Sequence, residues 1–122
     1  MIDVVESPGP GSPIEVHTAT SPEGVTVSVR GELDVSSAGR LRSCLFEMLT
    51  AGPVNVTIDL AGLSFIDSTG LGVLVGAVKR AREQGGDVVL RDPTRSTRKV
   101  LEISGLAKIF DIVGDQCGRL GP

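Results

Sequence analysis

Polar and apolar residues alternate in the first part of the chain in the pattern typical of β-strands. The alternation covers residues 14–20 (IEVHTAT) and resumes in residues 25–31 (VTVSVRG), where valines occupy alternate positions. The SPEG sequence between the two runs contains turn-forming residues, so the pattern predicts a β-hairpin. The segment before the hairpin is rich in proline and glycine, and we expect residues 1–13 to form a flexible N-terminal lead-in.

The spacing of the apolar residues becomes helical after the hairpin. Apolar side chains then recur three and four positions apart, at Ala38, Leu41, Leu45, Met48 and Leu49. Asp34 or Ser36 is available as the N-cap of this helix, and the pair Gly52-Pro53 ends it. Cys44 lies on the same apolar stripe, so we expect it to pack as a small, unreactive hydrophobic side chain.

Strands and helices alternate in the rest of the chain. The predicted elements are a strand at 54–60, a helix from Ser68 to about Gln84, a strand at 87–92, a short helix at 96–104 and a short strand at 108–113. The complete order, β-β-α-β-α-β-α-β, predicts an α/β fold in which right-handed crossovers connect parallel strands. We expect one domain over residues 14–113, with a mixed four- to five-stranded sheet and helices mainly on one face, and a loose C-terminal tail at 114–122.

Composition and charge limit the classes of function. The formal net charge of −3 argues against nucleic-acid binding, which requires a basic surface. The two cysteines, Cys44 and Cys117, do not have the spacing of metal ligands, and we expect no metal or other cofactor. No apolar run is long enough to span a bilayer, and the N-terminus is acidic where a secretory signal would be basic. We therefore expect a cytoplasmic protein without a membrane partner.

Residues 65–72 (FIDSTGLG) form a polar step between two apolar segments. A hydrolase that used Ser68 as its nucleophile would need a histidine base, and the only histidine, His17, lies on the polar side of the hairpin. We therefore expect that the chain is not an enzyme. Asp67 or Ser68 is instead suited to cap the following helix by accepting backbone N–H groups, and an acid is favourable at the positive end of a helix.

Three glycines follow this step inside the predicted helix, at Gly70, Gly72 and Gly76. Their spacing departs from the dinucleotide-binding fingerprint, so only a weak mononucleotide site remains as an alternative. Each glycine costs about 1 kcal/mol relative to alanine, which capping does not explain. A thin helix surface would suit close approach by the sheet or by a partner protein, with Leu71 and Val75 beside it as apolar contacts.

Three segments of the chain resemble successive segments of the STAS-domain anti-sigma factor antagonists. The segments are VSVRGELDVSSAGRLR, VNVTIDLAGLSFIDSTGLGVLVGAVKRAREQGGDVVL and RKVLEISGLAKIFDIV. The G-E-L-D step, the F-I-D-S-T-G-L-G core and the E-I-S-G-L pattern occur in the order and at the distances of that family. The resemblance extends from about Val25 to Val113, and the three motifs together make it specific.

The resemblance implies a binding protein of bacterial transcription regulation. Members of the family bind an anti-sigma factor that is also an ATP-dependent serine kinase, and thereby free a sigma factor. The kinase phosphorylates the first hydroxyl residue of the D-S-[ST]-G motif, which corresponds to Ser68, and a metal-dependent phosphoserine phosphatase reverses the reaction. The residues that the resemblance assigns to the partner-binding surface are Glu32, Leu33, Asp34, Asp67, Ser68, Thr69, Gly70, Leu71 and Gly72.

Several questions stay open at the level of the sequence. Thr69 and Ser64 carry further hydroxyl groups near Ser68, and either could be the phosphoacceptor instead. A nucleotide-sensing or scaffold module of the same fold, not regulated by phosphorylation, is the alternative to the switching of partners. Members of the family usually continue into a C-terminal helix, whereas residues 114–122 (GDQCGRLGP) show no apolar stripe.

Overall fold

The computed structural model describes the backbone of residues 3–6 and the backbone and side chains of residues 14–114. The elements are β1 (Asp3–Glu6), β2 (Ile14–Ser21), β3 (Gly24–Leu33), α1 (Ala38–Thr50), β4 (Asn55–Ile66), α2 (Ser68–Glu83), β5 (Asp87–Arg91), α3 (Arg95–Ile103) and β6 (Asp111–Val113). A turn of 3-10 helix at Leu106–Lys108 lies between α3 and β6.

The six described strands form one sheet, in which their order in space is their order in the chain. β1, β2 and β3 are antiparallel neighbours, whereas β3, β4, β5 and β6 run parallel to one another. Each connection between parallel strands contains a helix, as parallel neighbours require. The last residues of the four parallel strands therefore lie at the same edge of the sheet, which we call the carboxyl edge.

The core lies between one face of the sheet and the helices. The sheet residues on this face are at most 1% exposed and include Val27, Val29, Val56, Ile58, Leu60, Val88 and Leu90. They pack with leucines of α1 and with the apolar stripe of α2. The alternate strand residues are only partly buried and include an ion pair between Asp59 and Arg91 at 3.0 Å. The prediction of a mixed sheet with helices mainly on one face is confirmed.

β1 is an edge strand that the sequence pattern did not predict. It pairs antiparallel with residues 16–19 of β2, so the segment 1–13, expected to be a flexible lead-in, contains one strand of the sheet. The four residues of β1 are too few to show a period, and their pairing depends on the edge that β2 offers. Residues 7–13 and 115–122, including Cys117, lie outside the described residues. The predictions for the loose tail therefore stay untested.

The predicted boundaries agree with the structure for α2 and differ from it at the N-cap of α1. α2 begins at Ser68 and ends at Glu83, as its apolar period and flanking residues predict. α1 has Ser37 as its N-cap, so the expectation of Asp34 or Ser36 at that position is wrong. The Asp34 carboxylate instead accepts the N–H groups of Ser36 and Ser37 and closes a turn ahead of the helix.

Two further predictions concern the end of the chain and Cys44. The last strand covers only Asp111–Val113, because the residues before it form the 3-10 turn.

Cys44 is half-buried and packs against the core, with its Sγ atom 3.8 Å from Thr18 Oγ1. The position on the apolar stripe is confirmed, and the low reactivity of the thiol stays a prediction.

Replacing Leu74 by alanine is expected to lower the free energy of unfolding by about 2–5 kcal/mol, because truncating a fully buried leucine leaves a cavity. Lys79→Ala, an exposed change on the same helix, should alter it by less than about 0.5 kcal/mol. Urea unfolding followed by circular dichroism measures both. An unchanged midpoint for Leu74→Ala would show that the stripe of α2 is not packed on the sheet.

Candidate functional site

Ser68 is the first residue of α2 and lies at the carboxyl edge, just beyond the end of β4. Its side chain and that of Thr69 are exposed. Asp67 caps the helix: its Oδ1 atom accepts the Gly70 N–H at 3.0 Å, and its backbone carbonyl accepts the Leu71 N–H at 2.9 Å. Of the two residues suited to the cap, Asp67 therefore fills the role, and the Ser68 hydroxyl is not used for it.

A backbone hydrogen bond joins the start of α2 to the end of β3. The N–H group of Asp67 donates to the carbonyl of Leu33 at 3.2 Å. In the parallel pairing of β3 with β4, Leu33 also lies opposite Ile66, the last residue of β4. The G-E-L-D and D-S-T-G steps, which are distant in the sequence, are therefore adjacent in space, as the resemblance implies.

The close approach of Leu33 to α2 explains the glycine at position 70. A Cβ atom built on Gly70 would lie 2.8 Å from Leu33 Cγ and 2.9 Å from Ile66 Cγ1, closer than neighbouring carbon atoms tolerate. Leu33 is itself fully buried. Gly70 thus serves the packing of the helix on the sheet, and the space that it leaves is filled from within the domain.

The other two glycines of α2 differ from each other. A Cβ atom on Gly76 would meet the ring of Phe46 at 3.4 Å, an ordinary packing distance. A Cβ atom on Gly72 would meet no described atom within 4 Å, and Gly72 is exposed about one turn after Ser68. Packing inside the domain therefore does not explain glycine at position 72.

The residues after Leu33 form a turn that is held by its own side chains. The Asp34 Oδ1 atom accepts the Ser36 hydroxyl at 2.7 Å, the Ser36 N–H at 2.9 Å and the Ser37 N–H at 3.2 Å. The buried Ser37 hydroxyl donates to the Glu32 carbonyl at 2.8 Å and accepts the Asp34 N–H at 3.0 Å. Such local bonds fix the path of the backbone beside the Ser68 site.

These hydrogen bonds favour the charged form of the Asp34 carboxyl group. The Ser36 hydroxyl makes the largest contribution, and it acts with the Ser37 hydroxyl and the N–H groups of both serines to lower the pKa of Asp34 below its ordinary value, against a smaller opposing effect of burial. The turn therefore presents a negative charge next to the helix that begins at Ser68.

The residues predicted to bind a partner differ in their exposure. The exposed members are Glu32, Ser68, Thr69 and Gly72, and the half-buried members are Asp34 and Asp67. The buried members are Leu33, Gly70 and Leu71. Leu71 is 8% exposed and belongs mainly to the core, although it was expected as an apolar contact; Val75, expected in the same role, is half-buried. The exposed and half-buried members are therefore the ones accessible from solvent.

Two exposed apolar side chains near Ser68 were not among the predicted contacts. Val35, in the turn closed by Asp34, is 76% exposed, and Phe65, near the end of β4, is 48% exposed. The sequence carries a weak signal for both residues. Val35 interrupts a polar turn without belonging to a helical stripe, and Phe65 lies next to Ile66, outside the alternation of its strand.

The three candidate hydroxyl groups are not equivalent. Ser64 is exposed, but its hydroxyl donates to the Gly31 carbonyl at 3.0 Å. The Ser68 hydroxyl makes no hydrogen bond within the part of the chain that the structure describes. Thr69 is exposed next to it. The geometry therefore favours Ser68 over Ser64 as the more accessible acceptor.

A cavity of about 320 Å³ lies at the edge opposite Ser68, where residues 20–25, 53–55 and 85–86 form its lining, so the glycine-rich start of α2 does not contribute to it. Residues 3–6 and 14–114 contain no group of three His, Cys, Asp or Glu side chains arranged to hold a metal ion. Among the helices described, none has the length and apolar character to cross a membrane.

The chain is similar to known proteins over most of its length. Residues 14–116 match the family model described as STAS domain. The anti-sigma-B factor antagonist of Bacillus subtilis is 36% identical over 99 residues, which are 81% of this chain and 90% of that protein. The crystal structure of an anti-sigma factor antagonist from Mycobacterium paratuberculosis has a TM-score of 0.70 and 29% identity, covering 81% of this chain and 84% of that one. The Bacillus cell fate determinant SpoIIAA in its phosphorylated form has a TM-score of 0.67 and 25% identity, covering 82% and 90%.

Alanine at positions 70 and 72 is expected to have opposite effects on stability. Gly70→Ala should lower the free energy of unfolding by about 1–3 kcal/mol, because the new methyl group overlaps Leu33 and Ile66. Gly72→Ala should raise it by up to about 1 kcal/mol, because the site is open and alanine is the better helix former. Each variant controls for the other in a urea titration. Equal effects would contradict the packing described for Gly70.

Replacing Ser36 by alanine is expected to raise the pKa of the Asp34 carboxyl toward its ordinary value, because the Ser36 hydroxyl is the largest cause of its lowering. NMR titration of the side-chain carboxyl measures this shift, and Ser43→Ala, on an exposed part of α1, should leave the pKa unchanged. A lowered pKa in the folded state means that the carboxylate stabilises the turn above the unfolded-state pKa. That stabilisation should disappear as the pH falls through the folded-state value. An Asp34 pKa that does not respond to Ser36→Ala would contradict this account of the turn.

Proposed function

The chain belongs to the STAS domain family and is related to anti-sigma factor antagonists; we propose that it binds an anti-sigma factor with serine kinase activity and that phosphorylation of Ser68 releases this partner. Binding frees a sigma factor, and a metal-dependent phosphoserine phosphatase restores the binding form. An antagonist acts by occupying its target, which agrees with the prediction that the chain is not an enzyme.

The position of Ser68 is the observation that carries the proposal. Its side chain is exposed at the start of α2, and the capping of that helix is performed by Asp67. A kinase can therefore modify the hydroxyl without removing a hydrogen bond on which the fold depends. Ser64, by contrast, donates its hydroxyl to the Gly31 carbonyl.

The start of α2 is suited to carry the added phosphate. A phosphoserine bears a charge of about −1.5 to −2 at neutral pH. The N-terminus of a helix favours negative charge, because its first N–H groups and its dipole point toward the added group. The related SpoIIAA, which has the same fold, is described in a phosphorylated form. These points support a modification that leaves the domain folded.

The cost of the phosphate falls on the interface with the partner. Asp67 precedes Ser68 directly, and the Asp67–Leu33 hydrogen bond places Glu32 and Asp34 nearby. Like charges about 4 Å apart near a protein surface repel by up to about 4 kcal/mol. A hundredfold loss of affinity requires only about 2.7 kcal/mol. Docking removes water from this surface, so the repulsion between the phosphate and its acidic neighbours is larger in the complex than in the free domain. Together with the bulk of the phosphate, this cost opposes binding of the partner.

The Ser68→Ala variant is expected to bind the anti-sigma factor kinase equally well with and without ATP, whereas the unmodified chain should lose at least about a hundredfold in affinity after phosphorylation. Ser68→Glu should bind weakly, since it carries one of the added charges. Calorimetric titration before and after incubation with kinase and ATP measures these affinities, and mass spectrometry locates the phosphate.

Thr69→Ala and Ser64→Ala are the matched controls, since both remove a neighbouring hydroxyl and leave Ser68 in place. Both should still accept one phosphate and release the partner. Phosphate on Thr69 or Ser64, or tight binding by the chain phosphorylated on Ser68, would contradict the proposal. Tight binding of ATP or GTP by this chain alone would favour the nucleotide-sensing alternative.

A further inference from the structure

The exposed apolar side chains of the domain are concentrated at one edge of the sheet. Within residues 14–114, the exposed large hydrophobic residues are Val35, Phe65, Ile103 and Val113. Three of these four lie within two residues of the end of a parallel strand and therefore lie at the carboxyl edge, as Ser68 does. Ile103 is the exception, because it ends α3, which leads away from that edge over about 13 Å.

Val35 and Phe65 flank the ends of β3 and β4, the two strands that end beside Ser68. The hydrogen bond between Asp67 N–H and the Leu33 carbonyl joins their two strands at the edge. Val35 is two residues beyond Leu33, and Phe65 is two residues before Asp67. Both residues therefore lie at the same edge of the sheet as the phosphoacceptor.

The turn holds Val35 in a fixed position although the side chain points into solvent. Asp34 and Ser37, on either side of Val35, bind each other and the end of β3 through the hydrogen bonds of the turn. Val35 is nevertheless 76% exposed. A preordered apolar side chain loses little conformational entropy when it binds, which favours its use as a contact. Its own side chain has no role in closing the turn.

Phe65, unlike Val35, lies within a strand and beside a cleft. It pairs with Glu32 across β3 and β4, and it borders a narrow cleft of about 90 Å³ between the end of β4 and the start of α3. The cleft is lined by Ser64, Phe65, Ile66, Ser96, Thr97 and Val100. Phe65 is 48% exposed, although aromatic residues are typically found buried in cores or interfaces.

We propose that Val35 and Phe65 are the apolar anchors by which this domain holds its anti-sigma factor partner around Ser68. The occupant is an apolar recess of the partner bordered by basic side chains, since the anchors are surrounded by the acidic residues Glu32, Asp34 and Asp67. The inference rests on the proposed function and assigns the contacts of that same site. Apolar contacts near Ser68 exclude water from the interface. A phosphate there would lose its hydration and face the acidic residues of its own domain with less screening, and this cost opposes the attraction of the basic border.

The test compares Val35→Ser with Ile103→Ser, because the two residues are equally exposed at 76% and lie in different parts of the fold. Binding is measured by calorimetric titration against each purified anti-sigma factor kinase of the same organism. Val35→Ser should weaken binding by about fivefold or more, and Ile103→Ser should leave it unchanged. Phe65→Ala should also weaken binding, and its urea midpoint shows whether the fold is retained.

Salt dependence separates the apolar anchors from the acidic residues around them. Val35→Ser should lower the affinity at every salt concentration to the same extent, whereas Glu32→Gln should reduce the dependence of affinity on salt. Equal binding by the unmodified chain, Val35→Ser and a folded Phe65→Ala would overturn the inference and leave the proposed function intact. An equal loss for Ile103→Ser would also overturn it. If the unmodified chain binds none of the kinases, the proposed function fails and the inference falls with it.

Discussion

The close contact between Leu33 and the first turn of α2 positions the whole candidate site. Leu33 occupies the space that a side chain on residue 70 would fill, and its carbonyl accepts the N–H of Asp67. Both interactions require that β3 and β4 end side by side, which the parallel pairing of the sheet provides. The Asp34 turn and Ser68 can therefore share one surface because the core beneath them fixes the distance between their strands.

This arrangement separates the residues that maintain the fold from those available for regulation. Asp67 caps α2, Leu33 and Gly70 pack the helix on the sheet, and the Asp34 turn is closed by Ser36 and Ser37. The exposed side chains between them, Ser68 and Val35 in particular, make none of these bonds. In the proposed switch, a change of charge at Ser68 alters what the surface binds and leaves these interactions in place.

The sequence predicts an element well when the residues of that element and its flanks determine its position. The period of the apolar residues and the flanking DSTG and GG steps are sufficient to place α2 from Ser68 to its end. The purpose of Gly70 could not be predicted in the same way, since it depends on Leu33, a residue of another strand. The prediction that Asp34 could be the N-cap of α1 is wrong for a related reason. Its carboxylate can accept nearby N–H groups in several geometries, and the path of the turn determines which of them it accepts. β1 could not be predicted from its own residues either, since its pairing depends on the edge of β2.

We propose that phosphorylation of Ser68 changes the surface of the domain and leaves its fold intact. Native-state hydrogen exchange on the chain phosphorylated at Ser68, compared with the unmodified chain, measures whether the fold is kept. We expect unchanged protection in the central strands β3, β4 and β5 and in the body of α2, with differences confined to the first turn of α2 and to the Asp34 turn. Loss of protection across β3 and α2 would show that the phosphate acts by opening the fold, and would contradict the account.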